Sequence, residues 1–295
     1  MMAADAREYT LALDFDARTY HVTGNGLDQA GSIQADGAAF DFLPGNAIGA
    51  GGATTMRFTS GADTVIGEFT LAAGALPFVA SRAFATSLPT TTTTFVMLGR
   101  TVDTATGTAD TTIQQGQVTS DGRILTCEAS QIVEIASCPA ASLTTGTLSI
   151  ADGLITAATP AGNVTYRIAT IGTDRVLLRA SASLGTTRRF VIGLPAGTTF
   201  GAGIFVGGTT EPAWGSASVS STTFSTTGTS PAGVTTVRNG TAAPVLPNTT
   251  LGNLLLLNGG TAGNYFSAAG AQLGVVLAAR GSAVAPGFMA IGARQ

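Results

Sequence analysis

The chain contains no lysine; all 14 of its basic residues are arginine. Charged residues make up 11% of its 295 positions, against roughly 25% in an ordinary soluble domain. Hydrophobic residues, at 44%, are close to normal, so Thr, Ser and Gly stand where charge usually does. That balance excludes the charge-rich, apolar-poor composition of a disordered chain. A net charge of −3, with no basic cluster longer than Arg188-Arg189, leaves nothing to neutralise phosphates, and nucleic acid is excluded as a partner. Long apolar runs are also missing. The longest aliphatic block is Leu254 to Leu257, far short of the roughly 18 residues that a helix needs to cross a bilayer, so no transmembrane segment is expected.

Acidic residues are absent from the last part of the chain. All 17 lie at or before Glu211, and residues 212–295 carry only Arg238, Arg280 and Arg294 as charges. A surface this neutral is either covered by another subunit, another domain or a cell envelope, or kept hydrated by hydroxyls.

Catalytic and cofactor chemistry is equally thin. His21 is the only histidine, and no Gly-x-Ser-x-Gly elbow exists to complete a Ser-His-Asp set. Gly49-Ala50-Gly51-Gly52 lacks the Lys-Ser/Thr ending of a phosphate loop. One histidine and two cysteines cannot supply a four-ligand structural zinc site, and no cofactor or metal is expected. Asp14 and Asp16 fall on one face of a strand and could act as a carboxylate pair or as calcium ligands; turn chemistry explains them equally. Cys127 and Cys138, with ten residues between them, fit a disulfide closing a short loop, which implies an oxidising compartment.

What the chain does contain is strand text. Tyr9, Leu11, Leu13 and Phe15 alternate onto one face, the period-two signature of a strand. Asp36-Gly37, Asp121-Gly122 and Asp152-Gly153 each sit between β-prone runs and predict type I′ hairpins, which need positive φ at both turn positions. Gly45 to Gly52 reads as a loop. No window shows helical spacing with caps.

A larger period organises the chain. An apolar strand ending near an Arg, a turn of small residues, and a strand running from Phe to Gly occurs three times. The copies are Phe78–Ala83 with Phe95–Gly99, Val176–Ala180 with Phe190–Gly193, and Val275–Arg280 with Phe288–Gly292. The closing Phe residues, 95, 190 and 288, lie 95 and 98 positions apart. The expectation is an all-β fold of antiparallel hairpins and meanders in three related repeats of about 98 residues, sandwich- or barrel-like. The boundaries fall at 1–100, 101–197 (holding both cysteines) and 198–295, as separate domains or one continuous body. Residues 101–112 read as the first connector.

Three binding candidates stand out. Trp214, in a loop-like context, suits a sugar-stacking platform or an interface anchor. Tyr20 and His21 lie side by side on a predicted strand. Arg82, Arg179 and Arg280 recur at one place in the repeat, which suits caps on loop carbonyls, with a composite anion site as the alternative. Thr spacing along the chain is irregular, unlike the ranked Thr of ice-binding sheets. The start, Met1-Met2-Ala3-Ala4-Asp5, has no signal-sequence pattern, which fits either a cytoplasmic protein or a mature N-terminus, and composition favours the second. The functional expectation is a non-enzymatic extracellular or cell-surface protein that acts by self-assembly or binding, with itself, an envelope component or a glycan as partner. A virion structural protein, a secreted carbohydrate-active enzyme and small-molecule binding inside a barrel are the alternatives.

Overall fold

The computed structural model describes residues 1–44, 56–61, 63–71, 74–129, 131–184, 186–211, 213–230 and 232–295. The Gly45–Gly52 loop expected from sequence lies outside these residues. Among them the fold is β throughout, with single turns of 3-10 helix at Ile135–Ser137, Ala140–Ser142 and Gly260–Ala262 and no α-helix.

The first sheet holds β1 (Met2–Ala3), β2 (Arg7–Glu8), β3 (Thr10–Asp14), β4 (Thr19–Gly24), β5 (Leu27–Asp36), β6 (Ala39–Pro44), β7 (Met56–Ser60), β8 (Thr64–Leu71) and β9 (Gly74–Ser81). Its order is β2-β1-β9-β8-β7-β6-β5-β4-β3. The two ends, β2 and β3, are one run of chain joined through Tyr9, so the sheet curls into a barrel-like shape. The second sheet is a closed barrel of β10 (Thr93–Asp103), β11 (Ala109–Val118), β12 (Arg123–Cys127), β13 (Leu143–Ala151), β14 (Leu154–Thr159), β15 (Gly162–Ile171), β16 (Asp174–Leu184) and β17 (Thr187–Pro195). The third is a closed barrel of β18 (Gly203–Thr209), β19 (Trp214–Val219), β20 (Thr223–Thr229), β21 (Thr235–Pro244), β22 (Leu254–Asn258), β23 (Asn264–Ala269), β24 (Leu273–Ala278) and β25 (Met289–Arg294). All three are antiparallel; the second and third close by pairing first strand with last, β10 with β17 and β18 with β25, while in the first β1 pairs with both β2 and β9 and leaves β2 and β3 at the two ends.

The apolar runs that define the repeat are explained by where these strands lie. A strand with one wet face alternates; a strand buried on both faces reads as continuously apolar. In β10, Phe95 and Met97 fill the lumen of the second barrel, while Val96 and Leu98 face a separate core shared by all three barrels. In β16 and β17, Leu177 and Val191 point inward, and Val176, Leu178, Phe190, Ile192 and Leu194 point into the shared core. Met2, Ile66 and Val79 meet them from the first barrel, and Val275, Leu277, Met289 and Ile291 from the third. Each such side chain contributes about 1.5–3 kcal/mol on burial. The repeated hairpin is the seam joining the barrels.

Hydrogen bonds cross the same seam. Arg100 donates from Nε to the Gly287 carbonyl and from Nη1 to the Ala4 carbonyl, both at 2.8 Å, so one side chain of the second barrel holds both of its neighbours. Burial pulls its guanidinium below the usual value, and Asp5 opposes that. Thr111 donates to the Ala278 carbonyl at 2.7 Å, and Arg167 to Glu8 at 2.8 Å.

Three sequence expectations are corrected by this topology. Phe95–Gly99 does not return against Phe78–Ala83: it opens the second barrel, and β9 pairs instead with β8 and β1. The first copy of the repeat is thus displaced by one strand, because any strand buried on both faces looks alike in sequence. The boundary expected after residue 100 falls inside β10, and residues 101–112 are the β10–β11 hairpin. The crossover between barrels is the segment from 82 to 92, pinned by the Phe84–Ala169 bridge and by the Ala85 amide on the Ile168 carbonyl. Of the three Asp-Gly turns, only Asp152-Gly153 has positive φ at both positions, 51° and 71°. At Asp121-Gly122 the Asp is held by Thr119 and Arg123, and Gly122 alone is left-handed.

Candidate functional site

Cys127 and Cys138 form the disulfide, with Cα atoms 5.9 Å apart, closing the loop between β12 and β13. The remaining candidates lie apart from one another. Tyr20 faces the lumen of the first barrel, edge-on to Phe42 at 4.6 Å, its hydroxyl accepting from Gln29 at 3.2 Å. His21, one position on, is outside, 2.6 Å from Asp28. Asp14 accepts the Ala17 amide at 2.8 Å, an Asx-type turn. The three arginines do not converge. Arg179 lies 5.8 Å from the Tyr166 ring, Arg280 is exposed 3.9 Å from Asp110, and Arg82 follows β9 where its backbone amide bonds Asp63. Among the described residues no three of His, Cys, Asp and Glu gather as metal ligands.

The third barrel is where surface and interior both offer chemistry. Its strands β18 and β22–β25 are turned toward the other barrels, which accounts within the chain for part of the acid-free stretch. Strands β19–β21 face away. Their outward positions are Ser216 and Ser218; Thr223, Ser225, Thr227 and Thr229; Thr235, Val237, Asn239 and Thr241. Register aligns them in ranks: Trp214, Thr229, Thr235; then Ser216, Thr227, Val237; then Ser218, Ser225, Asn239; then Thr223, Thr241. Neighbours in such a lattice stand about 4.8 Å apart across strands and about 6.7 Å along them. Threonines that are irregular in sequence are therefore regular in space. Trp214, half-buried, continues the first rank by strand parity. No charged side chain occupies this face, because Arg238, the only charge in these strands, has the opposite parity and points inward.

Inside, the lumen holds a cavity of about 110 Å³. Phe205, Phe224, Leu257, Val276 and Phe288 form its apolar wall, and the small residues Ala217, Ala290, Gly215 and Gly228 complete the lining. Gly215 cannot be otherwise: a Cβ there would sit 1.8 Å from the Thr227 carbonyl. At the rim Arg238 donates to Glu211 at 2.8 Å, and its guanidinium lies 5.7 Å from the Phe288 ring. Tyr265 meets Phe288 edge-on at 5.6 Å; burial raises its hydroxyl pKa, with Arg238 lowering and Glu211 raising it.

The rim is fastened from the first barrel. Glu68, 6% exposed, points from β8 onto Gly208 and accepts the Thr209 amide at 3.2 Å. Burial pushes its carboxyl up to about 8, against amide hydrogen bonds from Thr209 and Ala213 that pull it down. Sequence reasoning passed over Glu68, Glu211, Arg238 and Tyr265. Parity alone was available for Arg238, which falls between outward Val237 and Asn239. Neither a known family model nor a curated protein matches the chain.

Proposed function

We propose that this chain is a non-enzymatic binding protein of the cell surface or extracellular space, holding a neutral glycan on the outer face of β19–β21. The observation that carries this reading is the ranked, charge-free array of hydroxyls beside Trp214. Hydroxyl and amide groups at fixed spacing exchange hydrogen bonds with sugar hydroxyls, and an indole face accepts the C–H side of a pyranose ring. A face without charge gives no electrostatic attraction to an ionic partner. The disulfide suits an oxidising compartment. The carboxylates considered for hydrolysis, Asp14 and Asp16, lie at a hairpin tip, which favours binding over catalysis.

Affinity electrophoresis through gels containing neutral polysaccharides tests this, with Trp214→Ala and Thr227→Arg as variants. The native chain is expected to be retarded, and each variant to lose affinity by about tenfold or more, near 1.4 kcal/mol. Retardation that both variants retain sinks the reading. Light scattering on the same samples covers self-assembly: a large species without glycan, dispersed by Thr227→Arg, would reassign the face to contact between copies of the chain.

A further inference from the structure

We infer that the lumen of the third barrel is a binding site for a neutral single-ring molecule carrying one hydroxyl group. This rests on the interior and stands independently of the outer face. Dry cavities of about 150 Å³ with apolar walls accept benzene, and this one, at about 110 Å³, is of the same order. Its walls are those of a site for a flat ring, with Phe205 on β18, Phe224 on β20 and Phe288 just before β25 around one space. Among the described residues, Tyr20, Phe42, Phe58, Phe69 and Phe78 pack together in the core of the first barrel.

The charged groups of the lining are Arg238 and Glu211 at the rim, beside the hydroxyl-bearing Thr226 and Tyr265. Arg238 donates to Glu211 at 2.8 Å, and both line the cavity. The Glu211 carboxylate is about half exposed, so the rim reaches solvent and gives a way in. A ring seated on the aromatic wall would bring its substituent to this pair, where a hydroxyl can donate to Glu211 and accept from Arg238. The pair is neutral overall. A carboxylate on the ligand would have to compete with Glu211 for the one cation and leave a buried charge uncompensated, so the site selects hydroxyl over acid.

Phenol, toluene and benzoate are the probes, titrated into the full disulfide-intact chain up to about 10 mM and followed by calorimetry and ligand-observed NMR. Phenol is expected to bind saturably, about tenfold or more tighter than benzoate. Val276→Phe fills the space and should abolish binding. Ala290→Leu, on the paired strand, serves the same purpose if the larger side chain unfolds the barrel. Arg238→Met should bring phenol down to the affinity of toluene. Non-saturable phenol binding, phenol affinity unchanged in a folded cavity-filled variant, or a preference for benzoate overturns the inference.

Discussion

Replacing Glu68 by Gln isolates one ionisation in the seam between the first and third barrels. Among the described residues Glu68 has no cation to answer it. Arg57, opposite it in register on β7, is taken up by Asp41 at 3.0 Å and by Asp36. On the other side it meets Gly208 and the Thr209 amide, and the next acid, Glu211, is bound to Arg238. Burial therefore dominates and lifts the carboxyl from 4.5 to about 8. Between those values the folded chain holds a proton that the unfolded chain has released. The stability contributed is complete below pH 4.5 and drains as pH rises toward 8. The slope is about 1.4 kcal/mol per pH unit, so the full loss is about 5 kcal/mol. Gln keeps the shape and an acceptor for Thr209 but cannot ionise. Urea unfolding of both chains, from about pH 4.5 to about pH 8.5, gives the difference curve, in which every other titrating group cancels. The expected curve is steepest between pH 5 and 8, with Glu68→Gln the more stable chain at its alkaline end. Parallel pH profiles would mean that Glu68 is solvated and that the seam does not close over it.

The shared core and the disulfide give two further tests. Leu177 and Leu178 are adjacent on β16 but serve different cores, one the lumen and one the seam. Truncating either to Ala should cost about 2–5 kcal/mol in chemical denaturation; a free Leu178→Ala would show that the barrels are not joined in solution. Replacing Cys127 and Cys138 together by Ser removes a cross-link spanning 11 positions and should lower stability by about 3 kcal/mol on the chain-entropy model. Thermal melts of the variant and of the reduced native chain should then coincide.

Strand content was legible because it rests on local signals, alternation and turn residues, which act within a few positions, and the three-part plan because one apolar unit recurs at about 98 residues. Strand placement was not. Phe95–Gly99 and Phe190–Gly193 have the same pattern although one opens the second barrel and the other closes it. Both line the lumen with one set of side chains and the seam with the other, and sequence reports double burial without saying which neighbours provide it. The candidate site was legible in part. Trp214 was visible as a lone indole, but its company of Ser216, Thr227, Thr229 and Thr235 comes from register across three strands. Tyr20 and His21, adjacent in sequence, are separated by the wall of a barrel.

The same logic relates the chain's missing charge to its architecture. A barrel needs one apolar face per strand; three barrels pressed together need a second apolar face on the strands that touch. The third barrel spends β18 and β22–β25 on that contact, and the charges lining its cavity are the neutral Glu211–Arg238 pair. What remains exposed is β19–β21, and there hydroxyls stand where ordinary surfaces carry Lys and Glu. Burial against the other barrels explains the neutrality of the seam strands but not of this outer face, whose outward positions are exposed among the described residues. A solvent-facing sheet is blunted against edge and face association most simply by charge. Leaving it uncharged, while Arg238 in the middle of it is turned inward, is the feature that a packing argument alone does not produce.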